Sequence, residues 1–437
     1  MKGEVPVPNP DVDVIIVGAG IAGLTAAWRF LSEGHSVAVF EANERVGGRL
    51  YGYQVGERAV QLGGRWTGPG QDRIKSLAAE LGINICANTT FSDASIGRAG
   101  EDAERVAEAV HKLDEIAGQV PLEAPWLAPN AHELDSQTLA TWLSTNCDPD
   151  IASTVGGLLA GFLPKASDVS LLHTAFYLHS NGGLSGILGL NGPAHDSEMF
   201  DGGAHQLTDR LGEKLGSHIH LNTPVTQISQ DQHGVRVTSG DLEMSARFAI
   251  VALPPTLASR VIYDPPMPPE RDYLTQRMPI RGKIVVALLY DEPFWRNAGH
   301  RLVETDRLLL WDEGGDQNPA ALSGLISIDW SRELWNIPAE DRRAAIIDEV
   351  STVLGPKTRQ CSDYHEIYWA AEPWSRGCNS YMTTGAWTAW GQALRRPVGR
   401  IHWAGAEISP QFVGQMDGAV RSAETTVDAI CSLIKTS

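Results

Sequence analysis

Two hydrophobic periods alternate along the chain. From Val12 to Val17 stands an apolar run rich in β-branched residues, the mark of a buried strand. Ile21, Leu24, Trp28 and Leu31 then recur at helical spacing until Gly34 stops the pattern, and Val37 to Phe40 supplies a second strand. Ile74 to Leu81 reads as a helix ended by Gly82. Asp102 to Ile116 reads as an acidic amphipathic helix with Val106, Val110 and Leu113 on one face. Pro121 to Pro129 is a turn-rich connector, followed by helical patterns through Leu139, Trp142 and Leu143 and from Ile151 to Phe162. Residues 91–199 therefore read as mostly helical. At Met199 to Gly216 a glycine turn again feeds a helix, and His218 to Leu221 gives a strand. Alternating strands then flank His233-Gly234, and a buried strand ends at Pro254. KIVVALLY (283–290) and GLISIDW (324–330) read as longer strands, and Ala339 to Leu354 as a helix.

The first strand, turn and helix carry a specific chemistry. Gly18, Gly20 and Gly23 stand as G-x-G-x-x-G. The first allows the turn, the second lets backbone approach a pyrophosphate, and the third lets helix and strand pack closely. The phosphates would sit at the unpaired N–H groups of the helix start. Glu41, at the end of the second strand, is placed to accept hydrogen bonds from a ribose. Gly47 and Gly48 followed by Arg49 suit a second backbone approach to the same pyrophosphate, with a cation added. The order of elements is that of a doubly wound α/β, Rossmann-like dinucleotide-binding domain.

The segment ANERVGGR after Glu41 resembles the flavin-containing amine oxidases of the monoamine oxidase family, which bind FAD through a strand ending in Glu-Ala and an E-R-V-G-G-R stretch. Three further blocks are similar in the same order. LGGRWTGPGQDR from Leu62 resembles the segment along the flavin and brings in Gly64 and Arg65. Val225, after Pro224, falls on a valine at the adenine side. The C-terminal WAGAEISPQFVGQMDGAV brings in Glu407 and Met416, with a helix opening towards the flavin ring. The resemblance implies an FAD-binding domain from residues 11–90, 200–275 and 369–437, with an α+β substrate domain from 91–199 and 276–368. It also implies FAD-dependent oxidation of a small amine to an imine that water hydrolyses, with oxygen reoxidising the cofactor to give hydrogen peroxide. Cys378 matches the cysteine that monoamine oxidases bond to the flavin, and Trp369 a tryptophan packed near it.

Three positions depart from that pattern. Ten residues before Trp295, where the family places a lysine assisting reaction with oxygen, stands Val285; Lys283 lies two residues earlier on the same face. The paired aromatic rings flanking the substrate nitrogen are replaced by Asn379 and Gln415, with Tyr381, Trp387 or Trp390 available to refill the space. Two amides hydrogen-bond but offer no electron-rich faces. A more polar or unusually shaped amine is therefore expected. An electron carrier in place of oxygen is the alternative acceptor, making the protein a dehydrogenase or desaturase; a non-catalytic flavin-bound interaction protein is a further alternative.

Composition narrows the partners. With 53 acidic and 35 basic residues among 437, the net charge of −18 disfavours nucleic acid and anionic lipid and mildly enriches cationic small molecules. Five widely spaced cysteines without C-x-x-C indicate neither a disulfide framework nor a zinc site. No signal-like N-terminus and no run near the ~18 apolar residues of a membrane span are read, so a soluble cytoplasmic protein is expected. A homodimer is compatible with this reading. His173, His179, His195 and His205 fall in no metal or triad motif and read as surface or satisfied histidines, with His205 kept as a candidate beside the flavin.

Overall fold

The computed structural model describes residues 10–56, 58–87, 102–187, 198–313 and 320–436. Strand β1 (Val12–Val17), helix α1 (Ile21–Ser32) and strand β2 (Val37–Phe40) form the expected strand–turn–helix–strand unit. β1 is central in an eight-stranded sheet. It pairs in parallel with β2 on one side and with the long strand Leu242–Val251 on the other, Val14 opposite Val37 and Phe248. Ile219–His220 extends the sheet beyond β2, again in parallel. The long strand serves two partners. Its first half pairs antiparallel with Val235–Ser239, and its last residues pair in parallel with Ile401–Trp403. A strand near the C-terminus is thus laid into the same sheet as the first.

Packing on this sheet explains the glycine spacing. Gly18 has φ +105°, a conformation that favours glycine. A Cβ on Gly23 would lie 1.9 Å from the Gly18 carbonyl oxygen, so only glycine lets α1 sit this close to the turn. On its other side α1 packs against the last helix, Met416–Thr436, where Arg29 Nε donates to Glu424 at 3.1 Å.

A five-stranded antiparallel sheet forms the second layer system, in the order Leu302–Glu304, Leu308–Asp312, Ala321–Ile326, Ile284–Leu289, Asp363–Tyr368. Strand Ile284–Leu289 is buried on both faces. Ile284, Val286 and Leu288 pack with Trp295, Trp330 and Ile346, whereas Val285, Ala287 and Leu289 pack with Val60, Leu62 and Trp369 of the dinucleotide-binding half. Period two assigns its odd positions to the side of Val60, Leu62 and Trp369. Helices Ala103–Gly118, Leu139–Asn146, Pro149–Ala160 and Leu171–Ser180 make up the helical part.

The fold class is the expected one, with local differences. GLISIDW is not strand throughout: it ends at Ile326, and Ser327 begins the helix Ile328–Leu334 by accepting the Trp330 N–H. A serine in extended conformation before a polar turn outweighs the β-branched pattern around it. Strand Glu198–Phe200, which spans the 199/200 boundary, pairs with Trp66–Thr67 and Ile85–Ala87. Among the described residues no helix is long and apolar enough to cross a membrane.

Gly23→Ala is expected to lower the thermal unfolding midpoint, because the obstructing atom is backbone; differential scanning calorimetry reads the shift.

Candidate active site

The first block forms a cradle at the start of α1. The N–H of Ala19 donates to Glu41 at 2.7 Å, and the Asn43 backbone N–H reaches the other carboxylate oxygen at 2.8 Å, so Glu41 is folded onto the turn. Gly47 N–H donates to the Ala19 carbonyl at 2.8 Å, and Gly20 bridges to Gly47, closing the 44–49 loop over the helix start. A Cβ built on Gly20 meets nothing within 4 Å. That open space at unpaired helix N–H groups is what a pyrophosphate requires. Gly48, at φ +55°, lies against Gly20. Thr223 N–H donates to the Glu41 carbonyl at 2.8 Å, which brings half-buried Val225 to the same end of the cradle.

A buried ion pair joins this cradle to the C-terminal block. Arg49 donates from Nη1 and Nη2 to the two Glu407 oxygens at 2.5 and 3.0 Å, and Nη1 also donates to the Cys378 carbonyl. Glu407 is 3 % exposed and Arg49 27 %. Burial works to raise the Glu407 carboxyl, but the Arg49 guanidinium outweighs it and holds the group below its ordinary range. The 62–65 segment lies on the same place: Gly64 N–H donates to the Arg49 carbonyl at 3.2 Å, and a Cβ on Gly64 would meet Met416 Sδ at 3.3 Å. Arg65 points across to the substrate sheet. Its Nη1 contacts both Glu313 oxygens at 2.6 Å, and Nη2 donates to the Gln61 carbonyl.

Three further segments carry the residues expected at the reacting side. Trp369, 2 % exposed, donates its indole N–H to the Leu62 carbonyl at 2.9 Å. Residues 378–381 run antiparallel to 279–281: Cys378 N–H donates to the Arg281 carbonyl at 2.8 Å and Arg281 N–H to the Asn379 carbonyl at 3.1 Å. Asn379 lies beside Gly414, the residue before Gln415: a Cβ built there would be 3.3 Å from Asn379 Nδ2 and 3.7 Å from the Tyr177 ring. Gln415 Nε2 donates to the Tyr177 hydroxyl at 3.3 Å. Tyr177 thus lies beside both Gly414 and Gln415, a residue the sequence pattern does not single out. Its signal was a single phenol in an otherwise apolar helical stretch, TAFYL.

Val285 lies in the apolar cluster with Trp369, against which Cys378 also packs. The Lys283 ammonium donates to the Ala160 carbonyl at 2.8 Å, at the helical wall. Burial first, and then Arg281, push this amine down to about 7. Of the candidates for refilling the space of the paired rings, Trp387 is buried and donates to His173 Nδ1 at 3.3 Å, and Trp390 packs on Tyr273. His179 contacts the Val120 carbonyl. His205 lies against Gly52 and Gly203 with its Nδ1 buried and unpartnered. His195 falls outside the described residues. Among the described residues no cluster suited to a metal occurs.

One family matches nearly the whole chain. The model of the flavin containing amine oxidoreductases matches residues 21–431. The chain belongs to this family. It is 35% identical to an L-amino acid dehydrogenase of Synechocystis sp., covering 98% of this chain and 96% of that protein. It is 31% identical to the flavin-containing amine oxidase B of Homo sapiens, covering 94% and 84%. Among solved structures, putrescine oxidase bound to putrescine superposes with a TM-score of 0.89 at 30% identity, covering 96% of this chain and 99% of that one. Cyclohexylamine oxidase from Brevibacterium oxydans gives 0.88 at 29%, covering 98% and 100%. The protein is a flavin-dependent amine oxidoreductase, and FAD is the family's cofactor. This family member keeps the open space at Gly20 and the cradle of Glu41 that FAD needs.

Two expectations follow from the charges of this family member. Arg49→Met leaves Glu407 buried without its partner and should cost about 3–5 kcal/mol in chemical denaturation. Adding Glu407→Gln should recover part of that loss, since the double variant buries no charge. For Lys283 the sign is opposite to that of a carboxylate. Its amine is protonated near 10.5 when unfolded and near 7 when folded, so the unfolded chain binds more protons between those values and stability rises with pH across that window. Lys283→Met should therefore stabilise the fold by on the order of 2 kcal/mol below pH 7. The advantage should fade towards pH 10.5 when denaturation is repeated there.

Proposed function

We propose that the chain oxidises the C–N bond of a small amine to an imine, with FAD attached through Cys378 and oxygen as acceptor, yielding hydrogen peroxide. FAD, when bound, supplies the acceptor for a hydride equivalent leaving the carbon beside a neutral amine. The protein's share is position and exclusion of water. Asn379, Gln415 and Tyr177 offer hydrogen bonds to hold the amine nitrogen, and buried Trp369 and Val285 wall off the reacting face. Arg49 and Glu407 fix the backbone of Cys378 beside the cradle. What supports the reading is that Cys378 packs with Trp369 and is held by Arg49, while the next residue, Asn379, lies beside Gly414, which precedes Gln415.

Val285 favours a second reading of the acceptor. An apolar side chain where the family places lysine holds no water, which fits passage of electrons to a carrier; the Synechocystis relative is called a dehydrogenase. The imine chemistry is the same in either case.

An anaerobic absorbance scan against primary, secondary and heteroaromatic amines tests the reading. Bleaching of the yellow band by at least one class is expected, and bleaching by none would sink it. Recolouring on admission of air separates oxidase from dehydrogenase, and Val285→Lys should then raise oxygen consumption at least tenfold if the second reading holds. A yellow pellet after acid precipitation is expected for the Cys378 bond; a yellow supernatant would remove it.

A further inference from the structure

Two basic residues, Arg281 and Lys283, lie in the segment paired with Cys378 and Asn379, and among the described residues neither meets a carboxylate. Arg281 and Lys283 stand just before the strand Ile284–Leu289 that carries Val285. Arg281 is locked beside Asn379 by paired backbone bonds, its carbonyl accepting from Cys378 N–H and its N–H donating to the Asn379 carbonyl. Its charge reaches Tyr177: burial pushes that phenol up and the Arg281 guanidinium opposes the rise. Lys283 is 7 % exposed.

The guanidinium is only partly used. Nη1 donates to the carbonyls of Gly161 and Leu163, at 3.2 and 3.0 Å, while Nε is buried without a partner. Lys283 makes one hydrogen bond, to Ala160. Among the described residues neither cation forms an ion pair, although Arg49, Arg65 and Arg342 each reach a carboxylate in the same acidic chain. Arg281 is half-buried, burial and Arg281 together push the Lys283 amine down to about 7, and a guanidinium with a donor left over recognises a carboxylate well.

We propose that Arg281, with Lys283 beside it, receives a carboxylate carried by the substrate, so that the amine oxidised is a zwitterionic amino acid and not a diamine or simple alkylamine. This rests on the reading of Asn379, Gln415 and Tyr177 as the amine site. The amino group lies among them, and the carboxylate is drawn to the strand side. A diamine would bring a second cation towards Arg281, which repels it.

The test uses the flavin-loaded protein and matched pairs differing only in the carboxylate: L-phenylalanine against phenethylamine, L-leucine against isoamylamine, L-lysine against cadaverine. Anaerobic flavin reduction should be at least a hundredfold more efficient for the amino acid of at least one pair. Reduction by the decarboxylated amines in preference would overturn the proposal while leaving amine oxidation standing. Benzoate, which cannot be oxidised, gives a readout independent of turnover: by calorimetry Arg281→Gln should weaken its binding at least tenfold, with partial recovery in Arg281→Lys. Unchanged benzoate affinity in Arg281→Gln, or no binding to the wild type, would also overturn it. Absence of reduction by every compound, with Arg281-dependent benzoate binding retained, would strike the amine reading and leave the anion site. Because Arg281 also ties down Gly161 and Leu163, the wild-type comparison stands by itself whatever the variant's fold.

Discussion

The Arg49–Glu407 pair is the constraint on which the rest of the site depends. It is a buried, two-pronged ion pair between the loop that follows the first βαβ unit and the C-terminal block, and the same guanidinium takes the Cys378 carbonyl. Such a pair adds little net stability over an apolar substitute, but losing one partner is severe, which makes it a device for specifying geometry. Once it is made, the glycine turn, the 62–65 segment and the residues around Cys378 have one mutual arrangement. Asn379 and Gln415 inherit theirs from it.

A second polar contact performs the same service between the two layer systems. Arg65 leaves the cofactor half and meets Glu313, next to Trp311, whose indole N–H donates to the same carboxylate at 2.8 Å. Strand Ile284–Leu289 completes the seam by burying one face in each half. The site is therefore a junction, and its wall belongs to the core of the substrate sheet as much as to the cofactor half.

Much of this was legible in the sequence, for physical reasons. Glycines that must be glycine leave a spacing, and Gly18 and Gly23 are explained by one carbonyl contact and one positive φ. Strands buried on both faces leave continuous apolar runs, as at Val14 to Val17. What stayed hidden were partners set by tertiary approach. That Arg65 would turn to Glu313, that Tyr177 would reach Gln415, and that Arg281 would lie beside Asn379 depend on pairings between distant segments that no local pattern encodes. The start of a helix at Ser327 was hidden differently, because a capping side chain overruled strand propensity in its neighbours.

The central sheet also sets an order of assembly. β1 lies between β2 and a strand that begins only at Leu242, that strand is flanked in turn by Ile401–Trp403, and α1 is covered by the helix Met416–Thr436. The turn's own bonds, from Ala19 to Glu41 and from Gly47 to Ala19, are local, but the strands and the helix that flank it close very long loops, so their entropic cost is met late. During synthesis the N-terminal turn must wait, unsupported on one side, until the last helix has emerged. A ligand that binds only the finished cradle stabilises that whole closed arrangement by mass action, the distant strands and the last helix included.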